Sequence, residues 1–596
     1  MNKLKVLLVG INSQYVHSNL AIRYLKAYTK DLDYNPVIME FSINDRAERI
    51  LEELIREKPD IIAFSCYIWN IEMVKTLSKL IKLVDDNIEI IYGGPEVSFD
   101  GKEFLENNPG EYLVEGEGEG TFRKLIEYKI YEKNLHYNNV GILSNKKELV
   151  NNQTNIIDEE KNPFLKIGGL FYKEGKKVFY GGIKNNLDIN QVIFPYDEDD
   201  NLDNRIVYYE ASRGCPFRCK YCLSSVDRNI RFRDIEKIKE ELKYFIDKKV
   251  KLVKFVDRTF NCDEKFATDI WNFLINQDTE TKFHFEISAS VLTNNQVKVL
   301  SKAPKGRFQF EIGVQTTNNK ILKNINRYIS FKDVAEKVKE IKRLNNISQH
   351  LDLIAGLPGE DFESFKNSFN EVYSIGPDEI QLGFLKILKG SPMIEEKDIW
   401  GMKYSPYPPY EILKTKDISY EELLELKKVE AMVDKYYNSG KFKTILKYFE
   451  LKFDNPFDFY YSLGIFFYEK GYFSRNISNA EYYKVFLDFN SEKLKEDSNY
   501  ALKDIIKYDY LMFNKKKWIP EFLEDGEGKR WTKEIREKVL NSNLGIDKNK
   551  LHVEKFNIDI LHFIKTGEIL KRKIYIAYCE DITNKTKSVT DVTELI

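Results

Sequence analysis

Long apolar runs are scarce in this chain. The longest, "IIAFSCYIWNI" at 61–71, is closed off by Asp60 and Glu72 and falls well short of the roughly 20 residues that cross a bilayer. The opening "MNKLKVLLVGIN" puts basic residues before apolar ones, but it lacks an apolar stretch of signal-peptide length and a small-residue cleavage site. A cytoplasmic protein without membrane contact is the expectation. Charge imbalance is missing too. The formal net charge is −2, so no overall field favours nucleic acid or anionic lipid, and a basic groove would have to be local. No G-x-G-x-x-G follows the first apolar run, which argues against a dinucleotide. Cysteines number only six, and a reducing compartment directs clustered ones toward metal or redox chemistry before disulfides.

What is present is alternation. With 596 residues the chain is too long for one core, and three or four domains are expected. Short apolar runs ("KLKVLLVG", "NPVIMEFS", "DIIAFS", "IEIIYGG", "EYLVEGEGEG") are separated by segments of helical period such as "NLAIRYLKAYTK" and "RAERILEELIREK". Five such strands predict an α/β fold with a doubly wound parallel sheet over residues 1–130. Ligands of such sheets bind beyond the carboxyl ends of the strands, here loops 10–18, 65–70, 93–97 and 115–120. Residues 131–205 read as an Asn- and Lys-rich connector followed by a hairpin around Glu174-Gly175. A second β/α series occupies 206–415, with strands "RIVYYEA", "KLVKFVD", "KFHFEIS", "RFQFEIGV", "HLDLIAG" and "EIQLGFL". Six units make a partial (β/α)6 barrel. Residues 416–596 turn to aromatic-rich helices, "FDFYYSLGIFFYEKGYF" among them, where aromatics at helical spacing are usually core and alternatively a lid over the barrel mouth. The basic runs "GKFK" and "NKKKW" read as solvated faces.

The loop after the first barrel strand, "ASRGCPFRCKYCLSS", holds Cys215-x3-Cys219-x2-Cys222. Structural zinc wants four protein ligands, and no second pair follows; the nearest downstream histidine is His284. A [4Fe–4S] cluster wants one outside ligand on each of its irons, so three thiolates leave one iron open. Cys66, Cys262 and Cys579 are scattered along the chain and read as core or loop residues.

The spacing, with Tyr221 before the last cysteine, resembles the radical S-adenosylmethionine (SAM) superfamily, whose open iron chelates SAM. The resemblance implies further SAM contacts at Asp257, Glu286, Gln315, Ile354 and Gly356, on strand ends two to five. The Gly-Gly-Glu usual after the second strand is missing, and any of these polar residues could simply cap a helix. The preceding sheet is similar to the cobalamin-binding domain of B12-dependent radical SAM enzymes, with Ser65, Gly93, Gly94, Glu115, Gly116 and Glu117 at the matching strand ends. Small side chains there would leave a slot for the tail of cobalamin. His17 is the candidate below cobalt. Its loop, "GINSQYVHSNLA", lacks the Asp and Gly of the Asp-x-His-x-x-Gly motif, and a helix-start role is the alternative. The final segment resembles the uncharacterised extension of one subgroup of these proteins.

The combination implies methyl transfer to an unactivated carbon through a 5′-deoxyadenosyl radical and methylcobalamin, with electrons from a flavodoxin- or ferredoxin-type protein. Two alternatives stay open: non-methylating cyclisation, rearrangement or oxidation with the same cofactors, and a corrinoid or SAM sensor without catalysis.

Overall fold

The octapeptide KVLLVGIN, Lys5–Asn12 (β1), is buried at all but its first residue and feeds two cores at once. Leu7, Val9 and Ile11 point to one, Val6 and Leu8 to the other, as the period of two requires. In the computed structural model the described residues are 3–140, 163–198, 200–227, 229–495, 500–514, 519–524, 530–542, 551–580 and 587–595. The bulk of the predicted connector (141–162) and the lysines of "NKKKW" lie outside them.

Strand β1 pairs in parallel with Asn35–Ser42 (β2) and Ile61–Ser65 (β3). Glu89–Gly93 (β4) and Tyr112–Val114 (β5) extend the parallel array. Helices Ala47–Arg56 and Ile71–Val84 cover one face through Ile50, Leu54, Val74 and Leu77. Leu20–Tyr28 and Glu119–Val140 cover the other through Ile22, Phe122, Leu125 and Ile126. Each such side chain contributes about 1.5–3 kcal/mol by leaving water. The predicted hairpin does more than connect. Leu170–Glu174 (β6) and Lys177–Tyr180 (β7) add antiparallel to β5, giving a seven-stranded sheet of order β2-β1-β3-β4-β5-β6-β7.

The next strand, Ile206–Tyr209 (β8), ends in Ser212–Arg213 (β9), which pairs antiparallel with Arg231–Phe232 (β10). Leu252–Phe255 (β11), Lys282–Ile287 (β12) and Phe308–Gln315 (β13) follow, in parallel order β8-β11-β12-β13. Strand β13, FQFEIGVQ, alternates buried Phe308, Phe310 and Ile312 with partly exposed Gln309, Glu311 and Gly313. The aromatic face is packed tightly: Phe285 stacks on Phe255 with ring centroids 4.4 Å apart, and Trp271 lies 5.7 Å from Phe310.

The chain divides into two compact units. The first comprises Met1–Gly313, Lys320–Gln349 and Phe384–Thr415; the second comprises Val314–Asn319, His350–Gly383 and Lys416–Ile596. The remaining two strands of the β/α series, Ser348–Ala355 (β14) and Glu379–Phe384 (β15), fall mainly in the second. That unit also holds helices Tyr420–Met432, Lys443–Glu450, Pro456–Glu469, Asn479–Glu492 and Tyr500–Phe513. Many of its aromatic residues are core, whereas Tyr468 and Phe513 are exposed. Phe449 stacks on Phe459 at 5.2 Å, and Phe486 and Phe489 pack against the same ring. Among the described residues no helix is long and apolar enough to cross a membrane.

Candidate functional site

A cavity of about 890 Å³ opens within the first unit, at the large end of the range for small-molecule sites. Its walls come from two places. The loops after β1, β3, β4 and β5 contribute Asn12, His17, Ser65, Gly93, Gly94, Gly116 and Glu117. The β8 and β11 ends, with Glu286 of β12, contribute Tyr208, Glu210, Arg213, Lys254 and Arg258. Of the residues predicted from sequence, His17, Ser65, Gly93, Gly94, Gly116, Glu117 and Glu286 line this one volume.

The sheet side is made of small residues held hard. Gly94 has φ +115°, and a Cβ there would stand 2.5 Å from the Cys66 carbonyl oxygen. Only glycine takes that conformation and that approach. Ser65 is buried; its hydroxyl accepts from Asn19 Nδ2 at 3.0 Å and donates to the Val9 carbonyl at 3.4 Å. Asn19 also accepts from Ile22 N at the start of the helix Leu20–Tyr28, so one side chain joins a helix cap to the β3 end. His17 Nδ1 lies 2.6 Å from the Tyr208 hydroxyl, in hydrogen-bond contact. Burial, and then the charge of Lys254, lower the His17 pKa. The Glu115 carboxylate accepts from the Tyr180 hydroxyl at 2.7 Å.

A buried ion-pair network spans the two walls. The Arg213 guanidinium meets Glu119 at 2.5 Å, Glu210 at 2.9 Å and Glu117 at 3.4 Å. Glu117 is shared with Arg231, whose Nη1 donates at 3.1 Å. The Glu210 pKa is raised by burial although Arg213 opposes the shift. Neither Arg213 nor Asn19 stood out in the sequence. Their signal is spatial, since the partners lie 94 and 46 residues away.

The cysteine loop reaches the cavity wall through Leu223 and Ser224, directly after Cys222. Cys219 is buried, Cys215 and Cys222 are partly exposed, and all three are free thiols. The loop is pinned from several sides: Lys220 N donates to Ile325 O at 3.1 Å, and Met393 N donates to Lys220 O at 3.0 Å. Lys220 Nζ also meets Glu396 at 2.6 Å. Arg327 Nη1 approaches Cys219 Sγ at 3.7 Å and so sets a cation against the thiol. Burial raises the Cys219 pKa against that cation. Tyr221 is packed in the same place, and burial pushes its hydroxyl well up. Cys262 is nearer than its place in the sequence suggests. Its amide donates to Thr259 O at 3.1 Å, while Thr259 Oγ1 lies 3.5 Å from Cys215 Sγ.

The remaining predicted residues divide. Asp257 is fully buried, and both carboxylate oxygens are already engaged, by Ala211 N at 3.0 Å and by the Ser212 hydroxyl. Burial pushes its pKa up to about 7. Glu286 faces the cavity with Arg258 at 3.8 Å, and burial raises its pKa. Beside it on β13, Glu311 accepts from Lys254 Nζ at 3.2 Å and pairs with His284 Nε2 at 3.0 Å. The His284 hydrogen bond leads in lowering the Glu311 pKa to about 2. Gln315, Ile354 and Gly356 belong to the second unit. Gln315 is buried at φ +70°, and among the described residues its Oε1 has no hydrogen-bond partner; Gly356 has φ +84°. Backbone held in this region by a non-glycine residue is a mark of functional sites.

Three family models match in succession: a B12 binding domain over residues 6–126, the radical SAM superfamily over 209–372, and a protein of unknown function (DUF4080) over 398–578. The cobalamin-dependent radical SAM methyltransferase TokK of Streptomyces tokunonensis is 22% identical over 442 residues, covering 68% of this chain and 59% of TokK. The match thus spans about three fifths of that relative. Two solved structures share the fold. TsrM, a radical SAM methyltransferase from Kitasatospora setae with cobalamin and a [4Fe-4S] cluster bound, aligns with a TM-score of 0.52 at 15% identity, over 69% of this chain and 79% of its own. The cobalamin-dependent SAM radical enzyme OxsB, with aqua-cobalamin and SAM bound, aligns with a TM-score of 0.56 at 15% identity, over 85% and 79%.

Proposed function

We propose, for a chain that carries a B12-binding domain ahead of a radical SAM superfamily domain, that it is a cobalamin-dependent radical SAM methyltransferase acting on an unactivated carbon. The observation that carries this reading is the shared cavity, walled by the sheet's strand-end loops on one side and by strand ends next to the cysteine loop on the other.

The residues present fit the cofactors. Among the described residues no three His, Cys, Asp or Glu side chains converge to hold a single ion. A [4Fe–4S] cube takes each thiolate on a different iron, and one short loop carries three free thiols for three of the four irons. We assign its ligation to Cys215, Cys219 and Cys222. Ser65, Gly93, Gly94 and Gly116 leave room at the sheet ends, and we assign them, with Glu115, Glu117 and His17, to the corrinoid. His17 has only Nε2 to offer, because Nδ1 is held by Tyr208. SAM is assigned to Tyr221, Glu286, Gln315, Ile354 and Gly356. Asp257 serves it indirectly, fixing Ala211 and Ser212 ahead of the first cysteine. When bound, the cluster supplies the electron that cleaves SAM, and the corrinoid supplies the methyl group. The chain's own part is to orient these groups and to exclude water from the cavity. We place the corrinoid domain at 1–130, the hairpin connector at 131–205, the barrel at 206–415 and the helical domain at 416–596, in a cytoplasmic, anaerobic setting with a flavodoxin- or ferredoxin-type reductant.

The test is anaerobic incubation with SAM, hydroxocobalamin and reductant. Methyl transfer predicts both 5′-deoxyadenosine and S-adenosylhomocysteine. Deoxyadenosine alone would move the reading to non-methylating radical chemistry. Neither product would leave a corrinoid- and SAM-binding sensor.

A further inference from the structure

Arg213 occupies an unusual place. It stands two residues before Cys215, on the strand pair β9–β10, yet two of its three carboxylate partners, Glu117 and Glu119, belong to the loop and helix start after β5. Its side chain is 12% exposed and that of Glu119 is 7% exposed, so this pair is shielded from water and from salt. Glu119 Oε2 is buried without a hydrogen-bond partner among the described residues; Oε1 pairs with Arg213, and the Lys184 ammonium adds a second positive charge nearby. Removing either partner of such a pair leaves an uncompensated charge, so the two loops are held in one arrangement. Gly116, Glu117, Arg213, Leu223 and Ser224 all line the same cavity, the last two directly after Cys222.

We propose that Arg213 is a positioning residue that couples the corrinoid loop to the cysteine loop, so that filling one site tightens the other. This rests on the cofactor assignment above and goes beyond it. A corrinoid pressing on residues 116–119 fixes Glu117 and Glu119, and these fix Arg213 and the start of the cysteine loop. A cluster that orders the cysteine loop fixes the same guanidinium through the chain, two residues before Cys215. Linkage makes the effect reciprocal: the factor by which the cluster tightens corrinoid binding equals the factor by which the corrinoid tightens cluster retention. Coupling energies between sites commonly amount to about 5- to 150-fold in affinity.

The experiment measures hydroxocobalamin affinity by equilibrium dialysis on the full chain, once with the cluster reconstituted and once in the Cys215→Ala/Cys219→Ala/Cys222→Ala variant. The expected result is at least fivefold tighter binding in the cluster-loaded protein. Arg213→Met should bring the ratio to within twofold of one, while Arg213→Lys, which keeps the charge but not the planar fork, should restore part of it. Glu119→Gln provides the same test by a milder change, should Arg213→Met fail to fold. A ratio near one in the unsubstituted chain, or an undiminished ratio in both Arg213→Met and Glu119→Gln, overturns the coupling while the cofactor assignment stands. A protein that retains neither iron nor hydroxocobalamin overturns that assignment, and the coupling with it.

Discussion

The end of β4 offers two adjacent glycines with opposite tolerance, and the contrast can be worked out in advance. At Gly94 an alanine would take φ +115° and press its Cβ to 2.5 Å from Cys66 O and 3.0 Å from Cys66 N. Neither atom can retreat, because Cys66 N donates to Gly93 O at 2.6 Å and Cys66 O accepts from Glu96 N at 3.3 Å. Strain of the backbone costs roughly 1–3 kcal/mol and the overlap roughly as much again, so Gly94→Ala should destabilise by about 4 kcal/mol. At Gly93 the nearest atom to a new Cβ is Val114 O at 3.6 Å, an ordinary contact, and φ lies outside the left-handed region. Gly93→Ala should therefore be neutral or gain up to about 0.5–1 kcal/mol, as alanine does over glycine inside a strand. Gly116→Ala falls between. Its φ is +60° but nothing stands nearer than 3.9 Å, so the cost is about 1–2 kcal/mol for the left-handed conformation alone. Urea unfolding followed by far-ultraviolet circular dichroism ranks the three. Gly94→Ala within 1 kcal/mol of the unsubstituted chain, or Gly93→Ala costing as much as Gly94→Ala, would refute the packing argument.

Other consequences can be checked alongside. Gly93→Leu should leave thermal stability nearly unchanged yet weaken hydroxocobalamin retention at least tenfold, since the added side chain enters the cavity; unaltered retention on gel filtration would count against the site. Glu311 is held at about 2 by His284 and Lys254, below its ordinary 4.5, so its contribution is complete above about pH 4.5 and is lost as pH falls toward 2. That shift corresponds to about 3 kcal/mol, and Glu311→Gln should flatten the stability profile across this window in acid titrations monitored by fluorescence. Asn19→Ala removes both the helix cap and the link to Ser65 and should cost about 1–3 kcal/mol by chemical denaturation; a cost near zero would mean that the cap is dispensable.

What the sequence discloses and what it hides follow from the range of the forces involved. Strand β1 is legible because its aliphatic run and period are local, and the cysteine spacing is local too, confined to eight consecutive positions. The strand-end glycines are legible for the same reason: a turn's demand on the backbone is met by the residue itself. Arg213 is hidden, because an arginine in a short loop looks solvated until folding brings Glu119 against it. Cys262 likewise reads as scattered, although the turn from Thr259 carries it toward Cys215. Asp257 is legible as a strand-end carboxylate, but its bonds to Ala211 and Ser212 are not, because they depend on two strands coming together. The hairpin at Leu170–Tyr180 could be read as a hairpin, but its pairing with β5 depends on an exposed sheet edge that only the assembled sheet presents.

The most direct measurement is a metal, sulfide and corrinoid count on protein prepared and reconstituted without oxygen. The account predicts about four irons and four sulfides per chain, one corrinoid, and loss of the irons but not of the corrinoid in Cys222→Ala. Stoichiometric zinc in place of iron and sulfide, or a full cluster surviving in Cys222→Ala, would contradict it.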